Sequence, residues 1–222
     1  MKIKAVIFDM DGLMVESERD WFETAVELAN ERYSNFAISK DVILGCVGMR
    51  RVEMYDYLND VVGNGFDAKQ FNKECMELVY EKAKKYGLEK KEGLDELLKF
   101  LKQQNIKMVI ASSSRTKTIE DKFVFADLDK DYFDYVITGD MVTEAKPNPE
   151  VYLKSVEVLG VDPEDCLVLE DSELGAVAGV LAGLKVCLIP DMKMPSDKTM
   201  KKVYARLDSL YDVVDLIKKI NA

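Results

Sequence analysis

The stretch VIFDMDGLMVESE, residues 6–18, begins as a buried strand and then departs from it: Asp9, Met10, Asp11 and Gly12 follow three apolar residues. Residues two apart on an extended chain share a face, so both carboxylates project to one side. At about 5 Å and an effective dielectric near 20, two such charges repel by roughly 3 kcal/mol. Desolvation at the end of an apolar run makes the conflict worse. A chain with this pattern needs positive charge close by.

Five more short apolar runs follow the first (residues 3–8): KMVIAS (107–112), DYVITG (134–139), CLVLE (166–170), KVCLI (185–189) and, most weakly, VYARL (203–207). Helical patterns lie between them. Leu94, Leu97, Leu98 and Leu101 form an i, i+3, i+4, i+7 stripe, and Leu210, Val213, Val214 and Ile217 repeat it. In NPEVYLKSVEVL, Asn148 reads as an N-cap with Pro149 at the first helical position. This alternation predicts an α/β fold with a doubly wound parallel sheet. One segment breaks it. Residues 17–88 are helical in pattern almost throughout, which predicts an α/β core of residues 1–16 and 89–222 interrupted by a helical insertion at 17–88. The glycines of GAVAGVLAG (175–183) are spaced four apart, and the run is too short to span a bilayer, so it reads as a helix packed closely on the sheet.

Composition narrows the function. A chain of 222 residues, 48% hydrophobic and 32% charged, has enough apolar material for a substantial core. Its net charge of -10 argues against a nucleic-acid surface, which would need a basic footprint. With no long apolar run and no signal-peptide pattern, a cytoplasmic protein without a membrane anchor is expected. Cys46, Cys75, Cys166 and Cys187 form no metal or redox motif and read as packed thiols. The chain has no histidine, which excludes Ser-His-Asp and Cys-His catalysis and histidine-ligated zinc.

The apolar runs have polar ends. Asp9 follows the first, Ser112 ends the second, Glu170 and Asp171 end the fourth, and the loop after the third carries Lys146. The carboxyl ends of parallel strands form one ligand-binding edge, so these residues and Asp11 converge there. Any one of them could be a turn former, a helix cap or a solvated side chain. Four acids together require a cation. Their hard oxygens suit a divalent ion such as Mg²⁺, which binds through one or two carboxylates and a substrate phosphate. Ion, lysine and hydroxyl would together form a phosphoryl site, with a carboxylate available as nucleophile. The glycine-rich phosphate loops GxxxxGK[ST] and GxGxxG are absent.

FDMDGLMVESE, VIASSS, AKPNPEVY and LVLEDSELG resemble, in order and spacing, the four motifs of the haloacid dehalogenase superfamily, in its β-phosphoglucomutase-like phosphatase branch. The resemblance runs over essentially the whole chain and includes a small helical cap after the first motif. It implies Asp9 as nucleophile, Asp11 as general acid/base, Ser112 as phosphoryl holder and Lys146 as neutralising charge. It further implies Mg²⁺ bound by Asp9, the backbone carbonyl of Asp11 and Asp171, with Glu170 in support. An acid two residues after the nucleophile favours phosphoryl transfer over dehalogenation, because an alkoxide leaving group needs a proton and a halide does not. The expected substrate is a small phosphorylated metabolite, sugar phosphates foremost, and the expected enzyme a monomer.

Ser114 and Arg115 follow Ser112 closely and are phosphate-binding candidates. Arg50 and Arg51 lie in VGMRRVEM (47–54), which matches the substrate-facing cap loop of that branch, and are candidates for a distal anion. Three positions depart from the pattern. Glu16 stands where Asp is commoner, and KEGL (91–94) replaces a Pro-Gly turn. Trp21 stands where the mutases carry a cap histidine, and this chain has none. A phosphosugar mutase is the second reading. A signalling receiver domain, from another class, predicts a shorter chain and an acid at the tip of a later strand, which DYVITG does not supply.

Overall fold

The computed structural model describes residues 2–222, which divide into two compact units: Ser17–Leu88, and the rest of the chain. The second unit is built on a six-stranded sheet, with β1 Ala5–Phe8, β2 Lys107–Ala111, β3 Tyr135–Ile137, β4 Cys166–Glu170, β5 Lys185–Leu188 and β6 Ala205–Arg206. Their order is β3-β2-β1-β4-β5-β6 and every pairing is parallel. The central strands are buried on both faces, which is why they read as continuous apolar runs. Ala5, Val6, Ile7 and Phe8 are all buried. β1 pairs from Ala5 opposite Lys107 and Cys166 to Phe8 opposite Ile110 and Leu169.

Helices cover the sheet. α5 (Leu94–Gln103) buries Leu94, Leu97, Leu98 and Leu101 and packs beside α10 (Leu210–Asn221), which contributes Leu210, Val213 and Ile217. α6 (Thr116–Phe125) buries Ile119 and Phe123. α7 (Glu150–Leu159) lies against β1, β2 and β3, and α8 (Glu173–Leu181) against β4 and β5. A Cβ on Gly179 would come within 2.6 Å of Val186 on β5, so this glycine lets α8 approach the sheet closely. α7 starts one residue later than the capping pattern predicts: Pro149 takes the N-cap position, and the Asn148 side chain accepts the N–H of Glu150 at 3.0 Å. Pro149 already has helical φ and ψ, so the shift is a matter of where the first turn is counted. α9 (Asp197–Met200) precedes β6.

The Ser17–Leu88 unit consists of α1 Ser17–Arg32, α2 Lys40–Cys46, α3 Arg51–Val62 and α4 Ala68–Tyr86. Its interior includes Phe22, Leu28, Leu58, Phe71 and Cys75; Tyr33 meets Phe71 and Phe66 edge to face, and Phe66 packs edge to face with Phe36 and tilted against Phe71. At the base of the insertion the N–H of Glu16 donates to the carbonyl of Glu89 at 2.9 Å, and Val15 bridges to Lys90.

Candidate active site

From β1 the chain steps through β2 to β3 on one side, then crosses over to β4 and continues through β5 to β6 on the other. The β1–β4 boundary is thus the point at which strand order reverses, where open α/β sheets bind ligands. β1, β2 and β4 deliver Asp9, Ser112 and Asp171 just past their carboxyl ends. Asp9 continues the ladder for one step, its N–H donating to the Leu169 carbonyl at 3.0 Å, and the N–H of Ser112 likewise reaches Ile137 at 3.0 Å.

Lys146 is the hub. Its ammonium donates to Asp9 Oδ1 at 2.5 Å, Glu170 Oε1 at 2.6 Å and the Ala111 carbonyl at 3.0 Å, and it sits 4.9 Å from the centre of the Tyr152 ring. Only 6% of its surface is exposed, and Glu170 has none exposed. Burial alone would lower the lysine pKa, but the charges of Asp9 and Glu170 outweigh it and hold the group well above its ordinary value. Glu170 accepts from several further donors. The Tyr152 hydroxyl reaches Oε1 at 2.5 Å, and Oε2 takes the N–H groups of Asp171 and Ser172, both at 3.2 Å, and the Ser172 hydroxyl at 3.0 Å. Tyr152 is a donor throughout the working pH range, because burial first and Glu170 second push its pKa well above 10. The carboxylate fits against the first turn of α8 because residue 175 is glycine. A Cβ there would lie 1.8 Å from Glu170 Oε1.

One lysine does not balance these acids. Asp9 is pushed up to about 7, by burial first and then by Glu170 and Asp11, against the opposing pull of Lys146. Carboxylate oxygens of Asp9, Glu170 and Asp171 lie within 4.8 Å of one another, and all three residues are buried. This all-oxygen, net-negative set fits a hard divalent cation and does not fit a soft one.

The carboxylate of Asp11 lies outside that set. Its Oδ2 accepts from the Ser114 hydroxyl at 2.9 Å, and its Oδ1 pairs with the ammonium of Lys122 on α6. Ser112 is buried, and its Oγ accepts the N–H of Ser114 at 3.0 Å. Arg115 is exposed at the N-cap of α6. In the helical unit Arg50 takes the N-cap position of α3, where the Glu53 carboxylate accepts its backbone N–H at 3.3 Å and its Nε at 2.9 Å. Arg51 lines a groove of about 780 Å³ with Tyr55, Asn72, Lys73 and Tyr80. Trp21 donates its indole N–H to Asn72 Oδ1 at 3.1 Å.

Tyr152 and Lys122 are additions to the candidates from sequence. Tyr152 shares the buried side of α7 with Val151, Ser155 and Leu159, so periodicity alone places it in the core. Lys122 carries a signal in retrospect. It takes the i+3 position after Ile119, where an apolar residue is expected.

The model of the haloacid dehalogenase-like hydrolases matches residues 6–189. The chain belongs to this family. Among its relatives, the phosphorylated carbohydrates phosphatase of Thermotoga maritima is 33% identical over 185 residues, 82% of this chain and 83% of that one. The beta-phosphoglucomutase of Bacillus subtilis is 28% identical over 192 residues, 82% and 81% of the two chains. A crystal structure of a family hydrolase from Deinococcus radiodurans superposes with a TM-score of 0.81 at 22% identity, over 98% and 96% of the two chains. The parallel sheet described above is thus the fold of this family, and the chain is an enzyme of its hydrolase class. Among the described residues no helix is long and apolar enough to cross a membrane.

Proposed function

We propose that this protein is a Mg²⁺-dependent phosphatase of small phosphomonoesters, sugar phosphates foremost, working through an aspartyl-phosphate on Asp9. One observation carries the reading: a buried cluster of three carboxylates at the sheet's switch point, bridged by a single buried lysine. The phosphatase name of the Thermotoga relative supports the choice of phosphorylated carbohydrate. Asp9, Asp171 and the carbonyl of Asp11 would hold the ion, with Glu170 in support. Bound there, the ion supplies positive charge to the phosphoryl oxygens. The Ser17–Leu88 unit would act as the cap that selects substrate, with Arg50, Arg51, Ser114 and Arg115 as candidate contacts.

In this reading an Asp9 carboxylate oxygen attacks phosphorus, and the bond from phosphorus to the substrate oxygen breaks. Asp11 gives its proton to the departing alkoxide. Asp11, now ionised, takes a proton from water as that water attacks the phosphoenzyme, releasing inorganic phosphate and regenerating Asp9. Lys146 holds Asp9 in place and neutralises charge, while Ser112 orients the phosphoryl group. The beta-phosphoglucomutase of Bacillus subtilis keeps a mutase as the second reading. A mutase must exclude water and activate a sugar hydroxyl. The absence of histidine and the engaged indole of Trp21 count against it.

The test is a panel of phosphomonoesters assayed with Mg²⁺. Phosphate release is expected to stop with a chelator and in Asp9→Asn, with the fold of the variant retained by circular dichroism. Full activity in either case would overturn the assignment.

A further inference from the structure

We propose that Lys122 is a positioning residue that aims the Asp11 carboxylate at the leaving group. The inference rests on the reading of Asp11 as general acid/base and adds a residue to it.

Lys122 lies on the half of α6 that faces inward, between Ile119 and Phe123, both buried. Its own side chain is only 12% exposed. A lysine seldom occupies such a place, because removing an ammonium from water costs several kcal/mol unless a partner compensates it, roughly as for any buried ion. The partner here is Asp11. Asp11 is in turn held at both oxygens, Oδ1 by Lys122 and Oδ2 by the Ser114 hydroxyl at 2.9 Å. The two donors are themselves linked, with Lys122 Nζ 3.5 Å from Ser114 Oγ. They come from one short stretch, the loop and helix that follow β2. A carboxylate gripped at both oxygens cannot turn about its terminal bond, so the plane of its lone pairs is set.

That fixed plane bears on catalysis more than on binding. A general acid must present its proton along the line to the departing oxygen, and a small misplacement costs much of its effect. Asp11 also lies outside the Asp9, Glu170 and Asp171 set, so its orientation has to come from other groups. Ser114 reaches only Oδ2. Lys122 supplies the second point, acting on the substrate only through Asp11.

The experiment compares Lys122→Met, Lys122→Arg, Asp11→Asn and the Lys122→Met/Asp11→Asn double variant on two probes. Phenyl phosphate expels a basic phenoxide that needs a proton, and p-nitrophenyl phosphate expels one that leaves without help. For Lys122→Met, kcat on phenyl phosphate is expected to fall by about 10- to 100-fold, a part of the 10²–10⁴ that a general acid supplies. The fall on p-nitrophenyl phosphate should be much smaller. The inhibition constant of inorganic phosphate should stay within about threefold of the parent, because Lys122 does not act on the phosphoryl group. Lys122→Arg should recover most of the lost rate, and Lys122→Met should cost nothing further in the Asp11→Asn background. Equal losses on both probes, weakened phosphate inhibition, or a further loss in the Asp11→Asn background would each overturn the proposal. If Asp11→Asn itself loses equally on both probes, the acid/base reading fails and takes this proposal with it. If Asp11→Asn discriminates between the probes and Lys122→Met does not, only the positioning role fails. Thermal melts of each variant, and the Arg variant in particular, separate misfolding from misaiming.

Discussion

Tyr152→Phe removes one oxygen from the interior and keeps the ring that stacks beneath Lys146. The lost hydroxyl donates to Glu170 Oε1 at 2.5 Å, with both residues fully buried, so water cannot replace it. A hydrogen bond to a charged group contributes about 1.5–3 kcal/mol. Glu170 keeps Lys146 on the same oxygen and three donors on the other, so its charge stays partly compensated and a cost near the middle of that range, about 2 kcal/mol, is expected. For a chain of this length 1 kcal/mol moves the Tm by about 2–4 °C, which gives a fall of about 4–8 °C. Scanning calorimetry on chelator-treated protein at pH 7.5 measures it. A second scan of each protein with saturating Mg²⁺ should show a smaller gap, because the added positive charge stabilises the same carboxylate. A Tm within 1 °C of the parent would refute the reasoning, since it would mean that the buried carboxylate gains nothing from its fifth donor.

Other expectations follow from the same geometry. Gly175→Ala places a methyl group against Glu170, so the carboxylate or the helix must shift; a loss of about 1–3 kcal/mol and weaker Mn²⁺ binding by electron paramagnetic resonance are expected, and unchanged values for both would count against the close fit. Asp140 accepts from the Thr138 hydroxyl at 2.5 Å and from the Thr116 hydroxyl and N–H at 2.8 and 3.1 Å, which hold its pKa down to about 2. Its folded value lies below the unfolded one, so its stabilisation is present above about pH 4 and fades as pH falls toward the folded value. Asp140→Asn should therefore melt lower than the parent at pH 7, with a difference that shrinks between about pH 4 and pH 2, and a constant difference across urea titrations would contradict it. Supplied with β-glucose 1-phosphate and a catalytic amount of the 1,6-bisphosphate, the enzyme should release inorganic phosphate. Glucose 6-phosphate accumulating faster, followed by phosphorus NMR, would promote the mutase reading.

The sheet could be read from the sequence because its central strands have no wet face and register as unbroken apolar runs. The edge strands were harder. β3 and β6 are three and two residues long, and VYARL is correspondingly the weakest run. The acids at the strand tips stand out because a charge directly after an apolar run conflicts with its surroundings. Lys146 does not stand out in the same way. In a loop of polar residues it looks like any solvated lysine, and its burial between Asp9 and Glu170 is a product of tertiary structure alone. Tyr152 is hidden for the opposite reason, since an aromatic residue on the inner side of a helix reads as packing whether or not its hydroxyl has work to do. Lys122 could have been found as a charge on an apolar stripe, but its partner is 111 positions away in the chain. Periodicity carries no information about a pairing that distant.

The hydrogen bond from Glu16 to Glu89 makes the insertion modular. The chain leaves the sheet and returns to it through a neck that this bond and a second, from the Lys91 N–H to the Met14 carbonyl at 2.9 Å, hold closed, so the residues between enter and leave as a loop whose ends are already joined. Closure entropy grows only slowly with loop length, about 0.6 kcal/mol for each doubling. A short linker or an unrelated domain with adjacent termini could therefore replace residues 17–88 while leaving the register of β1 between β2 and β4 intact. An engineer can graft at these two positions without redesigning the strands beneath.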